Sequence, residues 1–570
     1  MIICGLKLTH DGAVALIDNG KLVFCVEMEK INNNIRHHEL LEVEIVQRFL
    51  KNYGYDMSNV DKFVVDGWGC TDKESSLDGQ PRLTIGENSN KLEIADGNHH
   101  YDLNIGQYQE KGIQDDLLKE WEFEGLEIES EEFHYHSYLH NAAHVFSAYC
   151  TSPYAKRMEE SYVLVWDGGI FPSLYHIDPN KKKVEIHGHL FNLLGNIYAV
   201  FSQNYGPFKV EDKKPKDDLS VPGKVMAYIA KGEIKKDLFR VFDLTYNKFA
   251  HKQPEGLGNY FASELNSFIR KEKLQYTDSD ILCTFHYYLE EKLVTGLKNK
   301  EIAQLSTKNR NLCFAGGCAL NIKWNSAIRK SGLFNSVYIP PFPNDAGSAI
   351  GTACCYMFKH TDNVYLEWDV YSGPETIVNN PVEGWSKKKL SIEDLAALIN
   401  KENEPVIIIN GRAELGPRAL GNRSIIAAPT SPQMKDILNK IKNRADYRPV
   451  SPICLEEQAP VVFSPGSSDP YMLFDHEVNT DWLVKIPAVT HLDGTARLQT
   501  VNENQNPTIY KLLQAYYRLT GIPLLCNTSA NYKARGFFPD IYSATEWGKV
   551  NYIWSNGNLY EKVKKDTFEV

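Results

Sequence analysis

The sequence has little that would anchor it in a membrane, staple it with disulfides or draw it to a polyanion. It contains no long uncharged apolar run of the kind that spans a bilayer. The opening stretch MIICGLKLTHDGAVALI is interrupted by Lys7, His10 and Asp11 and has no basic leader, so it reads as neither signal peptide nor spanning helix. Its 11 cysteines form no CxxC ladder, and Cys354-Cys355 falls in a small-residue, helix-like stretch. That usage argues against a disulfide or zinc framework and points to a reducing, cytoplasmic setting. A formal net charge of −11 offers no global attraction to phosphate backbones. The lysine-rich pieces NKKK (180–183) and EDKKPK (211–216) read as solvated loops.

What is present is length and a repeat. The 570 residues, 43% of them hydrophobic, suffice for two or more domains with cores of their own. Residues 2–27 read as three short strands with a THDG step after the first and a DNG turn before the last. From Tyr162 the pattern returns: YVLVWDGG, SLYHI, a DPNKK turn, KVEIHGHL. Two such meanders, each followed by helical segments, predict a duplicated α/β core with a cleft between its halves. Asp-Gly turns at the facing strand ends could cradle phosphate or a metal. LCFAGGCALN (312–321) adds a strand, a Gly-Gly turn and a helix start whose amides suit an anion or nucleotide. VYIPPFPNDAGSAIGTACCYM adds Asp345 before a small-residue helix, and the whole resembles the actin, sugar-kinase and Hsp70 ATPase arrangement.

Two patterns carry chemistry. LHNAAHVFSAY (139–149) places His140 and His144 four apart, on one face of a helix. His136, four residues before His140, is a candidate supporting group behind them. After about residue 365 the texture changes, and residues 406–457 crowd Arg412, Arg418, Arg423, Lys442, Arg444 and Arg448 among glycines and apolar strands. Arginine forks suit phosphate and carboxylate oxygens. HLDGTARLQTV adds Arg497, and PLLCNTSANYKARG ends a strand in Asn527, Thr528, Ser529 and Asn531, both reading as ligand-facing loops.

Eleven blocks, in order, resemble O-carbamoyltransferases of the NodU/CmcH type, a family that includes tobramycin and cephem carbamoyltransferases. They are THDGAVALIDNG, EMEK with RHH, HNAAHVFSAYCTSPY, VWDGG, GKVM, AGGCALN, NDAGSAIG, GPRALGNRSI, LNKIKNRADYRPVSP, HLDGTARLQTV and NTSAN. The resemblance implies residues 1–365 as an ATPase-superfamily, threonylcarbamoyl-transferase-like domain, completed by 545–570, and residues 366–544 as a YrdC-like domain. It implies that carbamoyl phosphate and ATP give carbamoyl adenylate and pyrophosphate in the second part. The carbamoyl group then passes to an acceptor hydroxyl in the first.

Carried over residue by residue, His140, His144, Asp167 and Asp345 would hold a divalent metal, Fe2+ by family habit. His10 and Asp11 would orient the carbamoyl group or handle the acceptor proton, with Arg497 as a further catalytic group. Gly316, Gly317 and Asn321 would contact nucleotide. Lys442, Arg448, Arg497, Arg418 and Ser529 would bind carbamoyl phosphate and ATP, with Mg2+. The sequence departs from the family after GKVM, where AYIAKG replaces a Leu-Ala-Pro-Tyr-Gly run, and this leaves the acceptor open. The choices are the primary alcohol of a natural product, of a nucleoside, or of 5-hydroxymethylcytosine in DNA. Homodimerisation is an expectation of the same kind. Two rivals stand beside this reading: a tRNA threonylcarbamoyl-type transferase, and a non-catalytic ATPase-fold binding module.

Overall fold

Apolar runs closed by tight polar turns account for the first strands. The computed structural model describes residues 1–40, 44–68, 83–84, 116–128, 131–210, 218–300, 310–532 and 534–563; EDKKPK lies outside them. β1 (Ile2–Lys7) and β2 (Ala13–Asp18) pair antiparallel from Ile2↔Asp18 to Lys7↔Ala13. Asn19 and Gly20, at φ 48° and 82°, supply the left-handed turn into β3 (Lys21–Glu27). Nearly every residue of β1 and β2 is buried, the mark of strands covered on both faces.

The chain divides into two compact units. The first comprises residues 1–25 and 39–368; the second comprises residues 26–38 and 369–570. The first holds β4 (Lys62–Asp66), β5 (Leu83–Thr84), β6 (Glu120–Ile128), β7 (Glu131–Tyr138), β8 (Ser161–Asp167), β9 (Ile170–Asp178), β10 (Lys183–His189), β11 (Asn311–Ala315) and β12 (Ser336–Tyr338). One sheet runs β3-β2-β1-β4-β7-β6-β5 and the other β10-β9-β8-β11-β12. In each, a first strand pairs antiparallel with the second and parallel with the fourth, and a further parallel strand follows. The duplicated α/β core expected from the repeat is therefore present. The described cysteines are free, and Cys354 and Cys355 sit within the buried helix Ser348–His360.

The second unit is built on an eight-stranded mixed sheet. Its order is Trp385–Lys389, Asn558–Lys562, Tyr552–Ser555, Val406–Ile409, Arg423–Ala427, Leu524–Ser529, Ser451–Leu455 and Gln499–Val501. In Val406–Ile409, Ile407 and Ile409 pack with Met434 and Leu438, while Val406 and Ile408 pack with Leu395 and Leu512. Alternate residues thus feed two cores, one on each face. Two boundaries differ from the sequence expectation. Tyr552–Ser555 pairs parallel with Val406–Ile409 and antiparallel with Asn558–Lys562, so this tail completes the second unit's sheet rather than the first unit. Residues 26–38 also belong to the second unit, far from it in sequence; Lys30 Nζ donates 2.8 Å to the Gly416 carbonyl.

Candidate functional site

The first unit gathers titratable groups at its strand ends. The helix His140–Cys150 begins two residues after β7, and the imidazoles of His140 and His144 stand one turn apart with centroids 4.6 Å from each other. Asp345 opens the turn Asp345–Gly347 before the helix Ser348–His360. Its Oδ1 lies 3.4 Å from Nε2 of His140 and 3.4 Å from Nε2 of His144. Asp167 ends β8. One donor atom from each of His140, His144, Asp167 and Asp345 lies within 4.8 Å of the others. His144 is fully buried, and among the described residues neither of its ring nitrogens has a hydrogen-bond partner, the 3.4 Å approach of Asp345 Oδ1 to Nε2 being an ion-pair contact only. A buried orphan nitrogen is costly in a finished structure. Two imidazoles and two carboxylates are a donor set suited to a borderline divalent transition metal, so the residues fit the metal the resemblance implies.

Behind these four stand two residues that sequence reasoning missed. Asp66, at the end of β4, takes His140 Nδ1 at 2.9 Å on Oδ2. Lys7, at the end of β1, donates to Asp66 Oδ2 at 3.0 Å and pairs with Asp345 Oδ2 at 2.9 Å. A charged residue closing an apolar run, Lys7 after IICGL and Asp66 after FVV, was the available signal. His136 is not the residue against His140 Nδ1; Asp66 is. His136 lies in β7, so helical spacing to His140 does not apply, and its Nδ1 stands 2.8 Å from Glu120.

Burial depresses the His140 pKa, but the Asp66 and Asp345 carboxylates outweigh it and bring the group up to about 10. Burial likewise pushes Asp345 up, yet Lys7, His140 and His10 hold it well below the usual carboxylate range. His10 is 43% exposed at its side chain, with Nδ1 3.2 Å from Asp11 Oδ2 and Nε2 3.6 Å from Asp345 Oδ2. Burial lowers it, and Asp345 followed by Asp11 raises it to about 9.

The Gly-Gly turn packs beside Asp167. Gly316 takes φ +88°, and a Cβ there would stand 2.3 Å from the Trp166 carbonyl oxygen, so only glycine fits beside β8. The Gly317 amide, expected to face a nucleotide, donates to Asp167 Oδ1. Asn321 caps the helix Ile322–Lys330, its Oδ1 accepting from Lys323 at 3.2 Å and Trp324 at 3.3 Å. In this structure Asn321 is a helix cap.

The second unit gathers cations. The charges acting on Arg418 are Arg36 and Arg448; on Lys442 they are Arg444, Arg36 and Arg448. Those acting on Arg497 are Arg418 and Arg448, opposed by Asp469. Burial is the first cause, and like-charge neighbours the second, of pKa values lowered to about 10 for Arg418 and about 9 for Arg444. Lys442 and Arg497 are lowered strongly for the same two reasons. Lys442 is tied to the Ser529 carbonyl, to Ser529 Oγ at 3.0 Å and to Asn531 Oδ1. Ser529 therefore holds a cation in place. Arg444 is oriented by Asn439 Oδ1 at 2.8 Å and Arg497 by Ser451 Oγ at 3.0 Å. Arg36 joins the cluster from residues 26–38, a contribution the sequence did not announce. Two cations of the 406–457 region do other work. Arg412 donates to the Gly373 and Ser372 carbonyls, and Arg423, 1% exposed, donates to those of Asn410, Asn422 and Gly411.

Comparison with known proteins adds to this geometry. Residues 2–354 match the family model described as Carbamoyltransferase N-terminus, and residues 396–557 the one described as Carbamoyltransferase C-terminus. Nodulation protein U of Rhizobium tropici is 45% identical over 574 residues, covering 99% of this chain and 96% of that protein. Nodulation protein U of Sinorhizobium fredii (strain NBRC 101917 / NGR234) is 44% identical, with 99% of each covered. The 3'-hydroxymethylcephem-O-carbamoyltransferase of Amycolatopsis lactamdurans is 29% identical, with 94% of each covered. Among solved structures, the activator of the 2-hydroxyisocaproyl-CoA dehydratase from Clostridium difficile with bound ADPNP covers 63% of this chain and 95% of its own. Its TM-score is 0.32 at 12% identity, too loose a likeness to carry an argument. Among the described residues no helix is long and apolar enough to cross a membrane.

Proposed function

This chain belongs to the carbamoyltransferase family and is a carbamoyltransferase, and from that premise we propose that its second unit makes carbamoyl adenylate while its first passes the carbamoyl group to an acceptor hydroxyl. The observation that carries this reading is the cluster of Arg36, Arg418, Lys442, Arg444, Arg448 and Arg497, whose members act on one another as like charges. Cations held against mutual repulsion are a site prepared for more than one anion. Carbamoyl phosphate and ATP are two polyanions that must meet, and fixed guanidinium groups offset their repulsion without reorganising.

Atom balance requires one water. Carbamoyl phosphate loses its phosphoryl group to water, leaving carbamate and inorganic phosphate. The carbamate oxygen attacks the α-phosphorus of ATP, and the bond to pyrophosphate breaks. Arg497 and Arg448 stabilise charge on the transferring phosphate, and Lys442, steadied by Ser529 and Asn531, holds a leaving oxygen. The acceptor oxygen then attacks the carbamoyl carbon, AMP leaves, and the hydroxyl proton is released.

In the first unit His10 orients the carbamoyl group, its partly exposed imidazole being held with Nδ1 3.2 Å from Asp11 Oδ2 and Nε2 3.6 Å from Asp345 Oδ2. His140, His144, Asp167 and Asp345 would hold a divalent cation, Fe2+ in this proposal, which would supply Lewis acidity to the carbonyl, and Mg2+ would accompany ATP. The acceptor proposed is a primary CH2OH on a small molecule. A relative is named for a 3'-hydroxymethylcephem, and the net charge of −11 gives DNA no attraction.

The test is pyrophosphate release from ATP with and without carbamoyl phosphate, before any acceptor is added. Release that needs carbamoyl phosphate and is lost in Arg497→Ala supports the adenylate. Release that needs threonine and bicarbonate instead would move the donor to threonylcarbamoyl adenylate, and no release from folded, metal-loaded protein with either donor set would overturn adenylate formation ahead of acceptor binding.

A further inference from the structure

We propose that Lys7 and Asp66 are positioning residues of the first unit's metal centre, Asp66 turning His140 Nε2 inward and Lys7 limiting Asp345 to one donor oxygen. The inference rests on the metal reading above.

Three distances carry it. Asp66 accepts from His140 Nδ1 at 2.9 Å on one oxygen and lies 3.2 Å away on the other, which fixes the tautomer whose Nε2 is left with its lone pair. That Nε2 faces Asp345 Oδ1 at 3.4 Å. Lys7 Nζ stands 2.9 Å from the opposite oxygen of Asp345, which also faces His10 Nε2 at 3.6 Å, so Oδ1 is the oxygen presented to His140 and His144. All four side chains are at most 4% exposed, too dry for water to do this work.

Placement points the same way: Lys7, wholly buried, lies between the Asp66 and Asp345 carboxylates at 3.0 and 2.9 Å and offsets negative charge on the dry side of the centre.

The experiment strips the full chain of metal with a chelator and titrates Co2+, read by visible absorption and metal content. Wild type takes up one Co2+. Asp66→Asn is expected to bind it about 10- to 100-fold more weakly. Lys7→Met is expected to give a weaker, shifted absorption, because the freed Oδ2 of Asp345 adds a donor. The charge-balanced Lys7→Met/Asp66→Asn double variant carries the test if a single variant fails to fold by circular dichroism. On wild type alone, Co2+ should reveal a hyperfine-shifted imidazole N–H that exchanges slowly with solvent. Folded variants with unchanged affinity and spectrum, or the lack of that N–H signal, overturn the inference. Wild-type protein that takes up no Co2+ overturns the metal reading, and this inference with it.

Discussion

Gly351 lies against Ala143 so closely that a Cβ built on it would stand 2.0 Å from the Ala143 carbonyl oxygen. The helix that follows Asp345 therefore touches, backbone to backbone, the helix that carries His140 and His144. Any side chain at residue 351 must part them. Gly351→Val is expected to lower stability by about 1–3 kcal/mol and to weaken Co2+ uptake by the first unit. Thermal melts and cobalt titration read the two effects; unchanged uptake in the folded variant would show that the helices do not set the donor spacing.

Arg448 sits among like charges, with Arg36 acting on it and it on Arg418, Lys442, Arg444 and Arg497. Its removal should relieve repulsion while removing an anion contact, the trade between stability and function common at such sites. Arg448→Met is expected to raise ligand-free stability by up to about 1 kcal/mol while cutting carbamoyl-phosphate-dependent pyrophosphate release about 100-fold. Pyrophosphate should stabilise wild type more than the variant in a thermal-shift measurement.

Arg423 is the opposite kind of cation. Its guanidinium satisfies the carbonyls of Asn410, Asn422 and Gly411, and all three lose a donor when it goes. Arg423→Met is expected to cost about 2–4 kcal/mol in denaturant unfolding, with no ligand-free gain.

His286 gives a pH dependence of known sign. It is buried, stacks at 5.4 Å on Trp324 and has Nδ1 3.0 Å from the Tyr198 hydroxyl. Burial, aided by Lys323, lowers its pKa to about 3. The unfolded chain takes up this proton below its ordinary value of 6.5, and the folded chain does not. Its contribution is complete above that value and is lost as pH falls toward the folded one. Between pH 7 and pH 5 the loss is about 2 kcal/mol. His286→Phe should flatten the stability profile by that amount across this window.

Local sequence determined much of this protein. The DNG turn imposes the β2–β3 hairpin because left-handed φ values are cheap for asparagine and glycine, and the returning Asp-Gly pattern revealed the duplication because strand and turn periodicities are local. HxxxH gave one helical face before any coordinates. The tertiary structure decided what each charge does. Lys7 and Asp66 lie 59 residues apart and meet because β1 and β4 are parallel neighbours, a pairing no local pattern states. Arg423 and Arg497 look alike in the chain, yet one braces carbonyls and the other joins like charges, because burial against particular partners, and not residue type, determines the role of a charge.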